Sequence, residues 1–273
     1  MHENAVSAHR SRQRSGGMSH TPPELRGAWR TEAVEDFLKA VYLLEQQVDP
    51  VPTTLLARAL NISAPSVTDM IKRLASAEDD QRDRQTRRRE QAPLLLDYEP
   101  YRGVRLTDEG RRIALEVIRH HRLLEEYLTR ILGYAWDEVH EEADKLEHYI
   151  SEKLEARIAE ALGHPEIDPH GDPIPALDGT MLARDLVFLS DLLVGQTGHI
   201  SRITDQSPEV LRYLSELGLT PGAEVRLTVR APLNDTVSVQ VDGETESCTV
   251  SAHIARKVLV VAPNAAGDTT SDP

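Results

Sequence analysis

Hydrophobic residues recur at helical spacing through the first part of the chain. Between residues 31 and 47 an apolar position appears every three or four residues, with Thr31 placed as an N-cap. A proline-containing turn separates this stretch from a short amphipathic run over 53–60. A third run starts after Ser63, whose hydroxyl suits an N-cap, and continues to about Ala75. The pattern predicts three helices, of which the last two form a helix-turn-helix.

Two short apolar segments, 94–98 and 104–106, flank the turn-forming residues 100–103 and predict a β-hairpin. A helix-turn-helix followed by a hairpin is typical of a winged helix DNA-binding domain. A helical hairpin used only for packing is the alternative. The segment 78–93 is almost wholly charged and polar, which indicates a solvated loop or a disordered insertion.

Two longer helices are predicted next, one from Thr107 to about Leu132 and one from Trp136 to Leu162. The second helix carries an apolar stripe formed by Val139, Ala143, Leu146 and Ile150. A second stripe lies directly beside it and consists of His140, Asp144, Glu147 and His148. Because an unpaired charge is costly beside a buried seam, these four side chains either bind a cation or form salt bridges.

The hydrophobic period changes in the last third of the chain. Residues 163–180 are rich in Pro, Gly and Asp and predict a linker. Beyond the linker, turn signals separate a helix and four strands, predicted at 208–217, 198–203, 224–230, 236–241 and 245–250. This order predicts a small β-barrel of roughly 75 residues. The polar segments 1–25 and 264–273 are expected to be a disordered arm and tail.

Composition indicates the cellular compartment. The longest apolar runs are far too short to span a bilayer, and the first 25 residues lack the apolar core of a signal peptide. One cysteine, Cys248, excludes an intrachain disulfide framework and leaves little thiolate for metal chemistry. We therefore expect a cytoplasmic protein without a membrane partner.

The net charge of −14 argues at first against a nucleic-acid partner, but its distribution matters more. Residues 26–112 carry 15 Lys and Arg against 15 Asp and Glu, whereas the chain from Ile113 onwards carries 13 against 28. The acidic excess thus lies in the C-terminal part, and an N-terminal DNA-binding domain remains possible.

The helix after Ser63 would be the recognition helix, because the second helix of a helix-turn-helix enters the major groove. Its hydroxyls could reach base edges or phosphates, and basic side chains there and on the hairpin could neutralise phosphates. The candidate DNA contacts are Ser63, Pro65, Ser66, Thr68, Asp69, Lys72, Arg73, Arg102 and Arg105. The arginines of the 78–93 segment either belong to a solvated loop or make non-specific phosphate contacts.

The first of the two long helices carries His121 and Glu125, four residues apart on one face. With the polar stripe of the second helix they make six potential ligands on consecutive helices, and Asp36 is a possible seventh. Each residue alone is more simply explained by a salt bridge or a satisfied core position. The joint pattern favours a metal, and imidazoles with carboxylates but no thiolate suit Mn(II) or Fe(II), with Zn(II) possible.

The motifs resemble the diphtheria toxin repressor family of metal-dependent regulators, and more closely its manganese-transport-regulator branch. The similarity covers about 31–261. It is carried by the segments EDFLKAVY (35–42), SAPSVT (63–68), YEPYRGVRLT (98–107), HHRLLE (120–125), VHEEA (139–143), EH (147–148) and GDPIP (171–175).

The resemblance implies an α+β multidomain protein that forms a homodimer. It places a winged helix-turn-helix domain at 26–110, a helical dimerisation and metal-binding domain with its linker at 111–180, and an SH3-like domain at 181–263. It implies a primary metal site at Asp36, Asp144, Glu147 and His148, and an ancillary site at His121, Glu125 and His140. Iron-responsive members carry Met and Cys where Asp36 and Asp144 stand here, so the carboxylates favour Mn(II), with Fe(II) as the alternative.

The function implied is that of a Mn(II)-dependent repressor of metal-homeostasis genes, which binds a palindromic double-stranded operator as a homodimer. An Fe(II)-responsive regulator of the same family is the nearest alternative. A metallohydrolase is disfavoured because the chain has no HExxH motif, Gly-rich phosphate loop or nucleophile elbow, so we expect no enzyme. A winged helix repressor that responds to a small molecule, with the ligand cluster as mere salt bridges, is the third interpretation.

Overall fold

The structure is a computed structural model that describes residues 30–75, 94–231 and 233–261. Its helices are α1 (Glu32–Glu45), α2 (Thr53–Ala59), α3 (Ala64–Ala75), α4 (Asp108–Arg130), α5 (Val139–Leu146), α6 (Glu152–Leu162), α7 (Pro208–Glu216) and α8 (Ala252–Ala255). Its strands are β1 (Leu96–Glu99), β2 (Gly103–Leu106), β3 (Val187–Phe188), β4 (Thr197–Ile203), β5 (Glu224–Ala231), β6 (Thr236–Val241), β7 (Ser247–Ser251) and β8 (Val258–Val261). The predicted arm, charged insertion and tail lie outside the described residues. Within the described ranges, no helix has the length and apolarity needed to cross a membrane.

The N-terminal part is the predicted winged helix-turn-helix. Helices α1 to α3, the antiparallel hairpin β1–β2 and the start of α4 share one apolar core, which includes Leu38, Val67 and Ile113. Ser63 caps α3 as predicted, since its hydroxyl accepts a hydrogen bond from the Ser66 amide at 3.3 Å. Thr31 occupies the N-cap of α1, but its side chain makes no capping bond.

The prediction of a single helix from Trp136 to Leu162 is wrong, because the structure has two helices, α5 and α6, in that range. The chain leaves the first at Glu147, whose carbonyl accepts a hydrogen bond from His120 Nδ1 at 3.1 Å. It enters the second at Ser151, whose hydroxyl accepts from the Leu154 amide at 3.3 Å. The break turns one member of the predicted apolar stripe outward, so Leu146 is 40% exposed while the other three are buried.

The C-terminal part is one antiparallel sheet of six strands in the order β3-β8-β4-β5-β6-β7, which fits the predicted SH3-like domain. Sequence analysis found the four strands β4 to β7 and helix α7 but missed β3 and β8. Strand β8 has only four residues, of which Val258 and Val260 point into the core, and so gives too short an alternation to recognise.

The linker between α6 and the sheet passes directly against β4. His170 O accepts a hydrogen bond from the Ile203 amide at 2.9 Å, and Asp172 pairs with Arg202 at 2.5 Å. Between these contacts Gly171 has φ +87°, and a Cβ there would lie 1.8 Å from the carbonyl oxygen of Ser201. Only glycine allows this approach, so Gly171 fixes the linker onto the sheet.

We predict that Gly171→Ala destabilises the protein more than Gly222→Ala. Both positions have φ near +90°, a conformation that costs about 1–3 kcal/mol for a residue other than glycine, but a Cβ on Gly222 would meet nothing within 4 Å. The extra loss at Gly171 measures the clash with β4. Urea unfolding of both variants checks this, and equal losses would contradict the close approach.

Candidate metal centre

The predicted ligands come from three elements that pack together. Helix α4 presents His121 and Glu125 one turn apart, α1 presents Asp36, and α5 with the turn after it presents His140, Asp144, Glu147 and His148. Helix α4 packs against both α1 and α5. All seven side chains therefore form one row along α4. Within the row they fall into overlapping groups, and each group has one residue in common with the next.

The outer group of this row consists of Asp36, Glu147 and His148, whose ligand atoms all lie within 4.8 Å of one another. Asp36 Oδ1 lies 3.0 Å from His148 Nε2, and Glu147 Oε1 lies 3.5 Å from the same nitrogen. Glu147 is buried and His148 is half-buried, whereas the Asp36 side chain is half exposed. The outer group thus has one side open to solvent, through which an ion could enter.

The middle group consists of His121, Asp144 and Glu147. His121 Nδ1 lies 2.6 Å from Glu147 Oε2 and 3.2 Å from Asp144 Oδ1. The structure therefore brings Asp144 next to His121, whereas the resemblance placed it with Asp36 and His148. Lys39, which sequence analysis did not select as a site residue, donates hydrogen bonds into this group.

The inner group is the predicted ancillary set of His121, Glu125 and His140. Glu125 Oε1 lies 3.0 Å from His121 Nε2 and 3.2 Å from His140 Nδ1, and the two rings approach to 3.1 Å. Glu125 is almost fully buried, with 1% exposure. The two nitrogens of His121 thus face different groups, Nδ1 the middle one and Nε2 the inner one.

A fourth group, formed by Glu125, Asp168 and His170, was missed by sequence analysis. All three residues are buried, and Glu125 Oε2, Asp168 Oδ2 and His170 Nδ1 have no hydrogen-bond partner among the described residues. His170 Nε2 donates to the Trp136 carbonyl at 2.7 Å, which leaves Nδ1 as an acceptor in the neutral ring. The only signal was the position of His170, directly before the GDPIP segment.

The charges of the row depend strongly on one another. Burial would lower the pKa of His121, but the carboxylates of Glu125 and Asp144 outweigh it and raise that pKa to about 10. Burial is likewise overcome at His148, where Asp36 and Glu35 raise the pKa to about 9. The pKa of Asp144 is held well below its usual range, because His121 and Lys39 outweigh its burial. Without a metal the imidazoles of His121 and His148 are therefore protonated, and binding a metal there must release protons.

The donor set fits a divalent first-row metal ion. Every candidate ligand atom is a carboxylate oxygen or an imidazole nitrogen, the set typical of Mn(II), Fe(II) and Zn(II). Hydrogen bonds and salt bridges hold the outer, middle and inner groups together, whereas the three buried atoms around Glu125 make no hydrogen bond within the described residues and have only ion-pair contacts of 3.6 and 3.7 Å. Buried polar atoms are rarely left in that state, so the fourth group favours a bound cation.

Glu35 supports the outer group from behind. Its Oε2 accepts a hydrogen bond from His148 Nδ1 at 2.7 Å, and its Oε1 accepts from Arg30 Nε at 2.5 Å. A carboxylate on the far nitrogen fixes the ring so that Nε2 faces Asp36 and Glu147, where a metal ion would be held. Sequence analysis overlooked Glu35, although it is adjacent to Asp36 and opens the EDFLKAVY segment.

The candidate DNA contacts lie on one exposed surface of α3 and on the hairpin. Those of α3 are exposed apart from Thr68, which is half-buried and donates to the Ala64 carbonyl. Arg102 and Arg105 both pair with Glu99, at 2.6 and 2.7 Å, and Arg105 also pairs with Asp49. A phosphate contact from either hairpin arginine would have to replace these carboxylates.

Three family models match successive parts of the chain. Residues 30–78 match the iron dependent repressor N-terminal DNA binding domain, 107–176 the iron dependent repressor metal binding and dimerisation domain, and 187–262 the FeoA domain. The three matches cover helices α1 to α3, helices α4 to α6, and the C-terminal sheet.

Curated proteins and solved structures are similar along most of the chain. The diphtheria toxin repressor of Corynebacterium glutamicum is 30% identical over 205 residues, which covers 71% of this chain and 82% of that protein. The iron-dependent repressor IdeR of Mycobacterium tuberculosis is 29% identical over 245 residues, covering 84% and 96%. The solved structure of a manganese-dependent transcriptional repressor in complex with manganese has 35% identity and a TM-score of 0.72, and covers 84% of this chain and 100% of that one. All three are named repressors, which agrees with the expectation of a regulator rather than an enzyme.

We predict that Glu35→Gln lowers Mn(II) affinity by about 10- to 100-fold, the usual cost of losing a carboxylate behind a ligating histidine. Glu109→Gln is the matched control, because Glu109 pairs with Arg112 at 2.7 Å on α4 and contacts no ligand. Mn(II) titration of both folded variants by calorimetry gives the comparison. Equal affinities in the two variants would refute the role of Glu35.

Proposed function

The chain belongs to the diphtheria toxin repressor family of metal-dependent transcriptional repressors, and on this premise we propose that Mn(II) is its activating metal. The observation that carries the proposal is the chemistry of the ligand row, which contains only oxygen and nitrogen donors. Cys248, the one cysteine, lies on β7 and packs against the core of the C-terminal sheet, away from the row. Hard carboxylates at Asp36 and Asp144 suit Mn(II) better than softer metals.

The outer group is the proposed primary site, with Asp144 close by in the middle group. A metal ion bound there would supply a divalent charge shared by ligands from two separate elements. Asp36 belongs to α1, whose apolar side packs in the same core as α3, whereas Glu147 and His148 follow α5. Joining these ligands fixes α1, and α3 with it, relative to α5. The inner group, which shares His121 with the middle group, is the proposed ancillary site.

The proposed partner is a palindromic double-stranded operator bound by a homodimer. The recognition helices of such a dimer must reach half-sites about 34–36 Å apart, so the angle between α1 and α5 controls how well both fit. Ser63, Ser66 and Thr68 would face base edges or phosphates at the start of α3, with Pro65 and Asp69 beside them. Lys72, Arg73 and the hairpin arginines would bind phosphates. By linkage, DNA would tighten metal binding as much as metal tightens DNA binding.

Fe(II) is the second candidate metal, because imidazole and carboxylate ligands also bind it. The iron-dependent repressor from Mycobacterium tuberculosis is a relative over most of the chain. Replacement of Asp144 is therefore expected to change the preference between Mn(II) and Fe(II).

Mn(II) should tighten binding to a palindromic operator by about 5- to 150-fold, the range of typical allosteric coupling. Fluorescence anisotropy with labelled operator, in Mn(II) and in chelator, measures this effect. Glu147→Gln should abolish the response, because Glu147 contributes to both the outer and the middle group. Glu142→Gln is the control, since Glu142 is exposed on α5 and pairs with Lys145. Equal DNA binding in Mn(II) and in chelator would overturn the proposal, and Mn(II)-dependent phosphoester turnover would favour the hydrolase.

Asp144→Cys should shift metal preference from Mn(II) towards Fe(II), because a thiolate is a softer ligand than a carboxylate. We expect the ratio of Mn(II) to Fe(II) affinity to fall about tenfold or more, which corresponds to roughly 1.4 kcal/mol. Anaerobic titration with each metal measures the ratio. Asp144→Asn controls for loss of the charge, and an unchanged ratio in the cysteine variant would remove Asp144 as a determinant of metal choice.

A further inference from the structure

The middle group already contains a positive charge, the ammonium group of Lys39. Its Nζ lies 2.8 and 3.0 Å from the two Glu147 carboxylate oxygens, 3.1 Å from Asp144 Oδ1 and 3.2 Å from His121 Nδ1. These contacts involve all three residues of the group. We propose that Lys39 is a tethered cation that takes the place of a metal ion in the middle group, so that divalent metals bind only in the groups on either side.

The position of Lys39 on α1 makes this arrangement specific. Asp36 and Lys39 are three residues apart and project from the same face of the helix. Asp36 supplies a carboxylate to the outer group, and Lys39 supplies an ammonium to the adjacent one. Helix α1 therefore places a carboxylate ligand in the outer group and an ammonium, in the position of a metal ion, in the middle group.

Burial keeps the ammonium in place. The Lys39 side chain is 15% exposed and its partner Glu147 is 1% exposed, so neither is a freely moving surface group. An ammonium has three N–H donors, and three carboxylate oxygens, one of Asp144 and two of Glu147, accept them. A divalent ion in the middle group would have to displace this ammonium from the buried Glu147 carboxylate. The displaced lysine charge would still lie close to the ion.

The two oxygens of Glu147 are divided accordingly. Oε1 points towards His148 Nε2 in the outer group at 3.5 Å, and Oε2 points towards His121 Nδ1 in the middle group at 2.6 Å. A divalent ion in the middle group would be repelled strongly at short range by the Lys39 ammonium. Lys39 Nζ contacts both oxygens, and a metal ion in the outer group would share Oε1 with the ammonium.

The proposal rests on the metal binding proposed above, and counting Mn(II) ions tests it. The full chain is compared with Lys39→Met, which removes the charge, and with Lys39→Arg, which keeps it. All three carry Glu125→Gln, because Glu125 belongs to both groups on the far side of His121 and its loss leaves only the groups around Glu147 to be counted. The readouts are calorimetric stoichiometry and the electron paramagnetic resonance spectrum of bound Mn(II).

We expect one magnetically isolated Mn(II) per chain with Lys39 or Arg at position 39. We expect two ions with a spin-coupled spectrum in Lys39→Met, because the middle group is then free for a second ion. A coupled pair with Lys39 in place, or one isolated ion in Lys39→Met, would overturn the proposal. If Lys39→Met does not fold, the spectrum of the Lys39 protein decides alone. If no Mn(II) binds to the Glu125→Gln protein that keeps Lys39, and none binds to the unsubstituted chain either, the proposed function fails instead.

Discussion

The buried charge along α4 is the constraint on which the rest of the structure depends. The helix buries His121 and Glu125 among apolar side chains, where an ionised group without a partner would be very costly. Each neighbouring element therefore supplies countercharges: α5 brings Asp144 and the turn after it brings Glu147, both against His121, and the linker brings His170 against Glu125. The contacts that neutralise α4 are the same contacts that assemble the four ligand groups, so folding and construction of the metal centre are one process.

This arrangement connects parts of the chain that are distant in sequence. At one end of the row Asp36 belongs to α1, within the core of the winged helix. At the other end His170 is held by a linker whose next residue, Gly171, lies against β4. A change of charge within the row thus bears on the positions of both the DNA-binding part and the C-terminal sheet. For a metal-dependent repressor, these contacts connect occupancy of a buried site to the DNA-binding surface.

Much of this could be predicted from sequence, because it depends on local periodicity. The winged helix, the pair His121 and Glu125, and the four strands β4 to β7 all follow from spacing, and the three family models agree with the family that the motifs indicated. The break after α5 could not be predicted, since the helical pattern continues through it and the break depends on a bond to His120 on another helix. Glu35, Asp168 and His170 were missed for the same reason. Their roles come from tertiary contacts that spacing does not encode.

The central claim is that one metal ion ties α1 to the segment after α5 through Asp36, Glu147 and His148. Anomalous diffraction from crystals of the Mn(II)-bound protein tests it most directly, because the scattering locates each ion without assumptions about its ligands. The account predicts a manganese peak in contact with all three of these side chains. Manganese peaks that lie elsewhere, with none in contact with Asp36, would contradict it, because the metal could not then control the position of α1.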